Sequence, residues 1–258
     1  MRMFIALLIG CVVMVCCGIH LPRSRKALIL YFYSGVGVFG GMLFSYFSAE
    51  HISSGLMSLI FGFSPIITGV LAQKIIYEPK FSFIKKVALS LAVIGLLIVC
   101  YDNILLSGNS YLGVVYVLLA VGCFSISAVL VKSIELQINP VATTVGALLF
   151  ATPLFFFTWL IFDGNLPYQQ WQAKSIWSII YLGIVGSLIG FLAYFYILQK
   201  LSTSTVALVT MLTPIFALLL GNLFNNEVLT VNLVIGAVFV ICGLSFFLWG
   251  DSIKKRVF

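Results

Sequence analysis

The sequence predicts an all-α integral membrane protein made of two inverted repeats of five transmembrane helices, with nine spans in this chain and the first helix missing. Three observations lead to this prediction: the composition, a series of apolar runs, and a similarity between the two halves of the chain. Hydrophobic residues make up 62% of the 258 residues and charged residues only 8%. A water-soluble domain could not carry that composition on its surface, so lipid must solvate most of the chain.

Nine apolar runs, bounded by charged residues, Pro, Asn or Gly, are candidates for membrane-spanning helices. A helix of about 20 residues crosses the roughly 30 Å of hydrocarbon in a bilayer, and the runs approach or exceed that length. They cover residues 3–19, 27–49, 55–76, 84–101, 111–131, 142–162, 176–198, 206–224 and 231–249. The segments between them are short, so the chain has no room for a soluble domain.

The basic residues predict how the chain is oriented. The net charge of +7 comes from small clusters between apolar runs and not from one basic face, which favours membrane orientation over nucleic-acid binding. Basic residues are retained on the cytoplasmic side during insertion, so alternate gaps between the runs can be compared. One set of gaps holds Arg2 and Lys174, and the other holds Arg23, Arg25, Lys26, Lys74, Lys80, Lys85, Lys86, Lys132, Lys200, Lys254, Lys255 and Arg256. This asymmetry predicts a multi-pass protein of the inner cell membrane with a cytoplasmic C-terminus.

The two halves of the chain are similar to each other at a constant offset. Matched glycine, proline and glutamate residues matter most, since each has a backbone or charge consequence. The matched pairs are Val36 with Val185, Gly37 with Gly186, Gly41 with Gly190, Ser53 with Ser202, Leu59 with Leu208, Pro65 with Pro214 and Glu78 with Glu227. Glu78 falls in a cytoplasmic gap and Glu227 in an outer one. The halves are therefore predicted to be inverted, an architecture common among secondary transporters.

The repeat divides the chain into residues 1–107 and 108–258 and leaves the first half incomplete. The second half has five predicted spans, so a counterpart of the helix that begins near Tyr111 is expected before Met1. Either the start codon is assigned too late and the natural protein has ten spans, or this is a nine-span variant; we favour the former. A cleaved signal peptide is a weaker third interpretation of residues 3–19, because no small-x-small cleavage site follows them.

Two stretches resemble a pattern of the drug/metabolite transporter superfamily, and within it of the EamA-type ten-helix exporters. They are residues 52–78, ISSGLMSLIFGFSPIITGVLAQKIIYE, and residues 201–227, LSTSTVALVTMLTPIFALLLGNLFNNE. Each has small residues entering a helix, a proline in mid-helix and a glutamate just past the helix end. The resemblance covers nearly the whole chain except the first helix. It implies two inverted five-helix halves around a central cavity, with export of amino acids or other small metabolites as the activity.

The residues matched between the halves have functional and structural interpretations. Pro65 and Pro214 lack an amide proton at mid-span and predict kinks, which either shape a cavity or are simply tolerated. Glu78 and Glu227 are interpreted first as helix-end caps, since a role in proton coupling would require burial. Two small-residue ridges predict close helix packing: Gly37 with Gly41, and Gly186 with Gly190.

No charged residue or histidine lies in the middle of a predicted span, so the sequence assigns no coupling ion. A cavity is instead expected to recognise cargo through hydroxyls, aromatic rings and freed backbone groups. Serine and threonine also bond to their own helix backbone, and tyrosine anchors at interfaces, which is the structural alternative. The candidates for the cavity lining are Tyr33, Ser34, Tyr46, Ser58, Ser64, Ser125, Ser127, Tyr181, Ser187, Tyr194, Thr210 and Thr213.

The sequence offers no support for an enzyme. It has no nucleotide-binding loop, HExxH or GxSxG motif, and its six cysteines lie in or near apolar runs without metal-ligand spacing, so no cofactor and no metal are predicted. Two functions stay open: a secondary carrier that exports a small metabolite by alternating access, and a non-transporting membrane component that stabilises a partner membrane protein. The expected partners are a small-molecule substrate and the lipid bilayer, without nucleic acid, and a homodimer is left open.

Overall fold

The computed structural model is helical, with no strand among the residues it describes. These are residues 1–77, 81–106, 110–134, 136–162, 164, 171–200, 216, 220, 222–224 and 231–257. The helices are α1 (Arg2–Cys16), α2 (Arg25–Ala49), α3 (Ser54–Phe61), α4 (Ser64–Ile75), α5 (Phe83–Leu106), α6 (Ser110–Ser133), α7 (Pro140–Phe162), α8 (Ala173–Tyr181), a π-helical segment (Leu182–Ile189), α9 (Gly190–Lys200) and α10 (Val231–Val257).

The described helices coincide with eight of the nine predicted apolar runs, and the run 206–224 lies largely outside the described residues. Five helical stretches are long and apolar enough to cross a membrane: Arg25–Ala49, Ser54–Ile75, Tyr111–Ser133, Pro140–Phe162 and Ser175–Lys200. The predicted all-helical class is confirmed. The number of spans and the inverted repeat stay predictions.

Polar side chains cap several helices where the apolar runs begin. The hydroxyl of Ser24 accepts a hydrogen bond from the amide of Ala27 at 3.2 Å, at the start of α2. Ser53 does the same for Leu56 at 3.3 Å before α3, and the Asn139 side chain accepts from Val141 at 2.9 Å before α7. Such caps accept hydrogen bonds from amides that have no partner within the helix. The local sequence therefore sets the position at which each of these helices begins.

The described contacts divide the chain into two compact units, and unit 1 comprises Met1–Phe39 and Leu130–Leu201. Within it, Tyr31 of α2 lies across Gly146 of α7, where any Cβ would clash with the tyrosine ring. A buried cluster joins the start of α2, the residues that follow α6 and the start of α7: Ala27, Leu30, Tyr31, Ile138 and Ala142. Ile19 and Leu21 of the α1–α2 loop pack against it, so these segments share one end of the unit.

Unit 2 comprises Gly40–Val129 and Ser202–Phe258. Its helices α5 and α10 approach closely because a glycine of each helix lies against the backbone of the other. A Cβ at Gly95 would lie 2.7 Å from the carbonyl oxygen of Gly236, and one at Gly243 would lie 2.8 Å from that of Ala88. In lipid, where water supplies no hydrophobic drive between helices, such close packing is a main source of helix association.

Each unit draws residues from both predicted halves, 1–107 and 108–258. The units describe which residues touch, whereas the halves describe an internal similarity of sequence. The division into halves therefore stays a prediction.

Candidate functional site

The span Ser54–Ile75 is interrupted in its middle. Helix α3 ends at Phe61, Gly62 and Phe63 form a turn, and Pro65 lies in the first turn of α4. A proline is tolerated there because its missing amide proton would have no partner within the helix. Gly62 and Phe63 are buried. Both keep right-handed helical dihedrals, so the interruption is a local break in the helical hydrogen bonds before Pro65.

The span Ser175–Lys200 is irregular too, because residues Leu182–Ile189 form a π-helical segment between α8 and α9. Such segments are rare, and they occur frequently at functional sites. Gly183 and Gly186 lie within the segment, and Gly190 follows it directly. The apolar pattern of the sequence predicted one continuous helix here and gave no sign of the π geometry.

Arg2, at the start of α1, contacts this π-helical segment. Its Nε donates a hydrogen bond of 2.6 Å to the hydroxyl of Ser187, which is fully buried. A Cβ at Gly183 would be tight against Arg2, whereas one at Gly186 would make an ordinary van der Waals contact with it. A Cβ at Gly183 would lie 3.2 Å from the carbonyl oxygen of Arg2, and one at Gly186 would lie 3.6 Å from Nη2 of the guanidinium.

Arg2 lies at the start of its own helix, and its partner Ser187 belongs to another span. Arg2 was assigned to an outer gap, yet Ser187 lies near the middle of Ser175–Lys200.

The other predicted lining residues lie in different surroundings. Ser125 and Ser34 are buried, and their hydroxyls have no hydrogen-bond partner among the described residues. The same holds for the hydroxyl of Tyr31, which was not predicted as a lining residue. The hydroxyl of Ser58 donates to the carbonyl of Gly55 in its own helix at 2.8 Å. The exposed fraction is 44% for Tyr46 and 62% for Tyr181.

Tyr33, Ser64, Ser127 and Tyr194 are partly buried. Five predicted site residues lie outside the described residues: Glu78, Thr210, Thr213, Pro214 and Glu227.

The predicted packing glycines also differ from one another. Gly37 and Gly41 are buried in α2, and a Cβ at Gly41 would clash with the ring of Phe124 in α6. Gly186 faces Arg2, as described above. Gly190 is exposed, and the nearest atom to its Cβ position is the carbonyl oxygen of Val185, 3.5 Å away on the same stretch of helix.

Residues 111–249 match the family model described as the EamA-like transporter family, which is more than half of the chain. The chain belongs to the EamA-like transporter family. This match includes the π-helical segment and Ser125, whereas Arg2 precedes it. Membership of this family, together with relatives that are named as transporters, identifies the protein as a membrane transporter and not an enzyme.

Relatives of this EamA-like chain include proteins named as transporters. The uncharacterized transporter YoaV of Bacillus subtilis is 23% identical, over 88% of this chain and 76% of its own length. An uncharacterized transporter of Archaeoglobus fulgidus is 26% identical, over 81% of this chain and 74% of its own. Protein PecM of Dickeya dadantii is 27% identical, over 81% and 69%. A crystal structure of another protein superposes with a TM-score of 0.72, covering 99% of this chain and 86% of that one at 13% identity, which shows a shared fold.

Unit 1 of the EamA-like chain contains a cavity of about 320 Å³ at the end where α2 begins and α6 and α9 end. Its lining is partly apolar, with Leu30 and Phe195, and partly polar, with Lys132, Gln137 and Gln199. The charge count assigns the gaps beside these residues to the cytoplasmic side. Sequence reasoning missed this cavity because its lining comes from helices far apart in the chain.

Proposed function

We propose that this transporter exports a small polar or amphipathic metabolite across the inner membrane by alternating access, with its C-terminus in the cytoplasm. The observation that carries the proposal is that two spans depart from regular α-helix: at Gly62–Phe63, where the helical hydrogen bonds break before Pro65, and at the π-helical Leu182–Ile189. Secondary transporters bind cargo near the membrane midplane, typically at helices that are interrupted there. The direction of transport rests on the resemblance to the EamA-type exporters.

Buried hydroxyls support a polar cargo. The hydroxyls of Ser34 and Ser125 are buried without a described hydrogen-bond partner. Burying a hydroxyl costs free energy unless it forms a hydrogen bond. A cargo that carries donors or acceptors gains affinity at such a group. Recognition of this kind rejects analogues that lack the matching polar atom much more strongly than an apolar wall does.

The cavity of unit 1 supports entry of the cargo from the cytoplasm. It combines the apolar side chains of Leu30 and Phe195 with the amides of Gln137 and Gln199. Such a mixture suits a solute that has both polar and apolar parts. The cavity is thus proposed as the first contact of the cargo with the transporter.

The test is metabolite profiling inside and outside cells that overexpress the protein, compared with the Ser125→Ala variant. Loss of a neutral hydrogen bond of about 0.5–1.5 kcal/mol corresponds to a decrease in export of roughly two- to thirteenfold. Ser133→Ala is the matched control, because that hydroxyl is exposed and donates to Leu130 of its own helix. If membrane insertion is verified and no metabolite changes its distribution, the export function is wrong and a partner-stabilising role takes its place.

A further inference from the structure

We propose that a groove between α5 and α10 binds one anionic phospholipid, with an acyl chain along the groove and the phosphate beside Lys86. This inference goes beyond the transport function proposed above and does not depend on it. It follows from the apolar lining of the groove, from its length and from the basic residues at one of its ends.

The groove is an open, apolar channel of about 460 Å³ on the surface of unit 2. Its lining includes Phe83 and Ile94 of α5 and Phe246 of α10, and all three side chains are exposed. Ser90 also lines it, and its hydroxyl donates a hydrogen bond of 3.2 Å to the carbonyl of Lys86 in its own helix. Such a lining matches a hydrocarbon chain, which gains many small van der Waals contacts along it.

The length of the groove matches one leaflet of a bilayer. Its lining on α5 extends from Phe83 to Ile94, which corresponds to about 16 Å along a helix that rises about 1.5 Å per residue. The hydrocarbon core of a bilayer is roughly 30 Å thick, so each leaflet contributes about half of that thickness. One acyl chain that begins at the basic end therefore contacts the groove over most of a leaflet.

The end of the groove at which α5 begins is basic. Lys86 is exposed and lies one helical turn from both Phe83 and Ser90, so it shares their face of α5. The ammonium of Lys85 lies 5.7 Å from the ring centroid of Phe247, which places the start of α5 beside the C-terminal part of α10. Lys86 is thus the proposed contact with the phosphate.

Helix α10 adds further positive charge at the same end. It continues beyond Phe247 to Val257, and this last part contains Lys254, Lys255 and Arg256 together with one acidic residue, Asp251. The charge count assigns this end to the cytoplasmic side. Clusters of lysine and arginine at the cytoplasmic end of a spanning helix are typical of sites for anionic lipid head groups.

The same charges disfavour a second copy of the chain as the occupant. Two copies in one membrane have the same orientation, so a symmetric pair joined through the groove would bring each basic end close to its counterpart. Like charges at such a contact repel each other, whereas a phosphate attracts both lysines. A phospholipid supplies the hydrocarbon chain and the negative charge in one molecule.

The experiment is native mass spectrometry of the purified full chain in a non-ionic detergent, titrated with phosphatidylglycerol or with phosphatidylcholine of the same acyl chains. A lysine near an anionic lipid contributes about fivefold in affinity, so phosphatidylglycerol should bind at least fivefold more tightly. Lys86→Gln should lower this ratio about fivefold. Lys26→Gln is the matched control, because it removes the same charge from an exposed position of α2, and it should keep the wild-type ratio.

A second pair of variants tests the groove itself. Ile94→Trp fills the groove and should weaken the binding of both lipids, whereas Val93→Trp changes an exposed neighbour outside the lining and should leave both affinities unchanged. Equal affinities of the wild-type protein for the two lipids would overturn the inference, as would equal effects of Lys86→Gln and Lys26→Gln. A dimer that Ile94→Trp dissociates would also overturn it, because a second copy would then occupy the groove.

Discussion

Single glycines set the distance between α5 and α10 in unit 2. A Cβ at Gly243 would lie 2.7 Å from the amide nitrogen of Ala92 and 2.8 Å from the carbonyl oxygen of Ala88. Both are backbone atoms and cannot rotate away. We expect Gly243→Ala to reduce the free energy of unfolding by about 1–3 kcal/mol, the usual cost of overpacking. Thermal unfolding of the purified protein in detergent measures this.

Gly122→Ala is the control for that substitution, since no atom lies within 4 Å of its Cβ position. Alanine favours a helix over glycine by up to about 1 kcal/mol, so this variant should be as stable as the wild type or more stable. Equal melting temperatures for the two variants would contradict the close approach of α5 and α10.

Some residues of the candidate site could be predicted from the sequence, and others could not. Ser187 was predicted as a cavity residue because a hydroxyl lies in the middle of an apolar run. Its partner Arg2 was not, because the contact depends on the length of α1 and on which helix packs beside it. A sequence pattern describes each helix separately and does not show which helices pack side by side.

At the scale of elements, the interruption between α3 and α4 yields a prediction for transport. Pro65 has no amide proton to donate to the carbonyl of Phe61, one turn earlier, so the interruption persists at this point. Pro65→Ala supplies that proton and should favour a continuous helix. We expect at least a threefold decrease in transport with an unchanged or higher melting temperature.

Pro153→Ala is the matched control, because α7 continues as one helix past Pro153. The same substitution there should leave transport near the wild-type rate. If both variants transport equally well, the interruption at Gly62–Phe63 has no role in the transport cycle.

The apolar runs predicted helix positions well, as the predicted span 142–162 and the observed Pro140–Phe162 show. Membrane thickness fixes how long such a run must be, and the flanking polar residues fix where it begins. The runs did not predict the turn at Gly62–Phe63 or the π-helical segment. Both keep the same apolar composition as regular helix, so hydropathy does not distinguish them.

At the scale of the whole molecule, the basic residues predict the orientation in the membrane. The α1–α2 loop, the residues after α6 and the start of α7 share one end of unit 1, and the charge count places all three on the cytoplasmic side. A green fluorescent protein fused after Phe258 should therefore fluoresce, and alkaline phosphatase fused there should be inactive. The opposite result is expected for fusions at Glu50, between α2 and α3. A C-terminal phosphatase with full activity would reverse the predicted topology.

The contact between α5 and α10 also has a mechanical consequence. Backbone meets backbone at Gly95 and Gly236 and again at Gly243 and Ala88, without a layer of side chains between the two helices. Sliding one helix along the other would press a Cβ against backbone atoms, so the pair is expected to move as one rigid body when the transporter changes conformation.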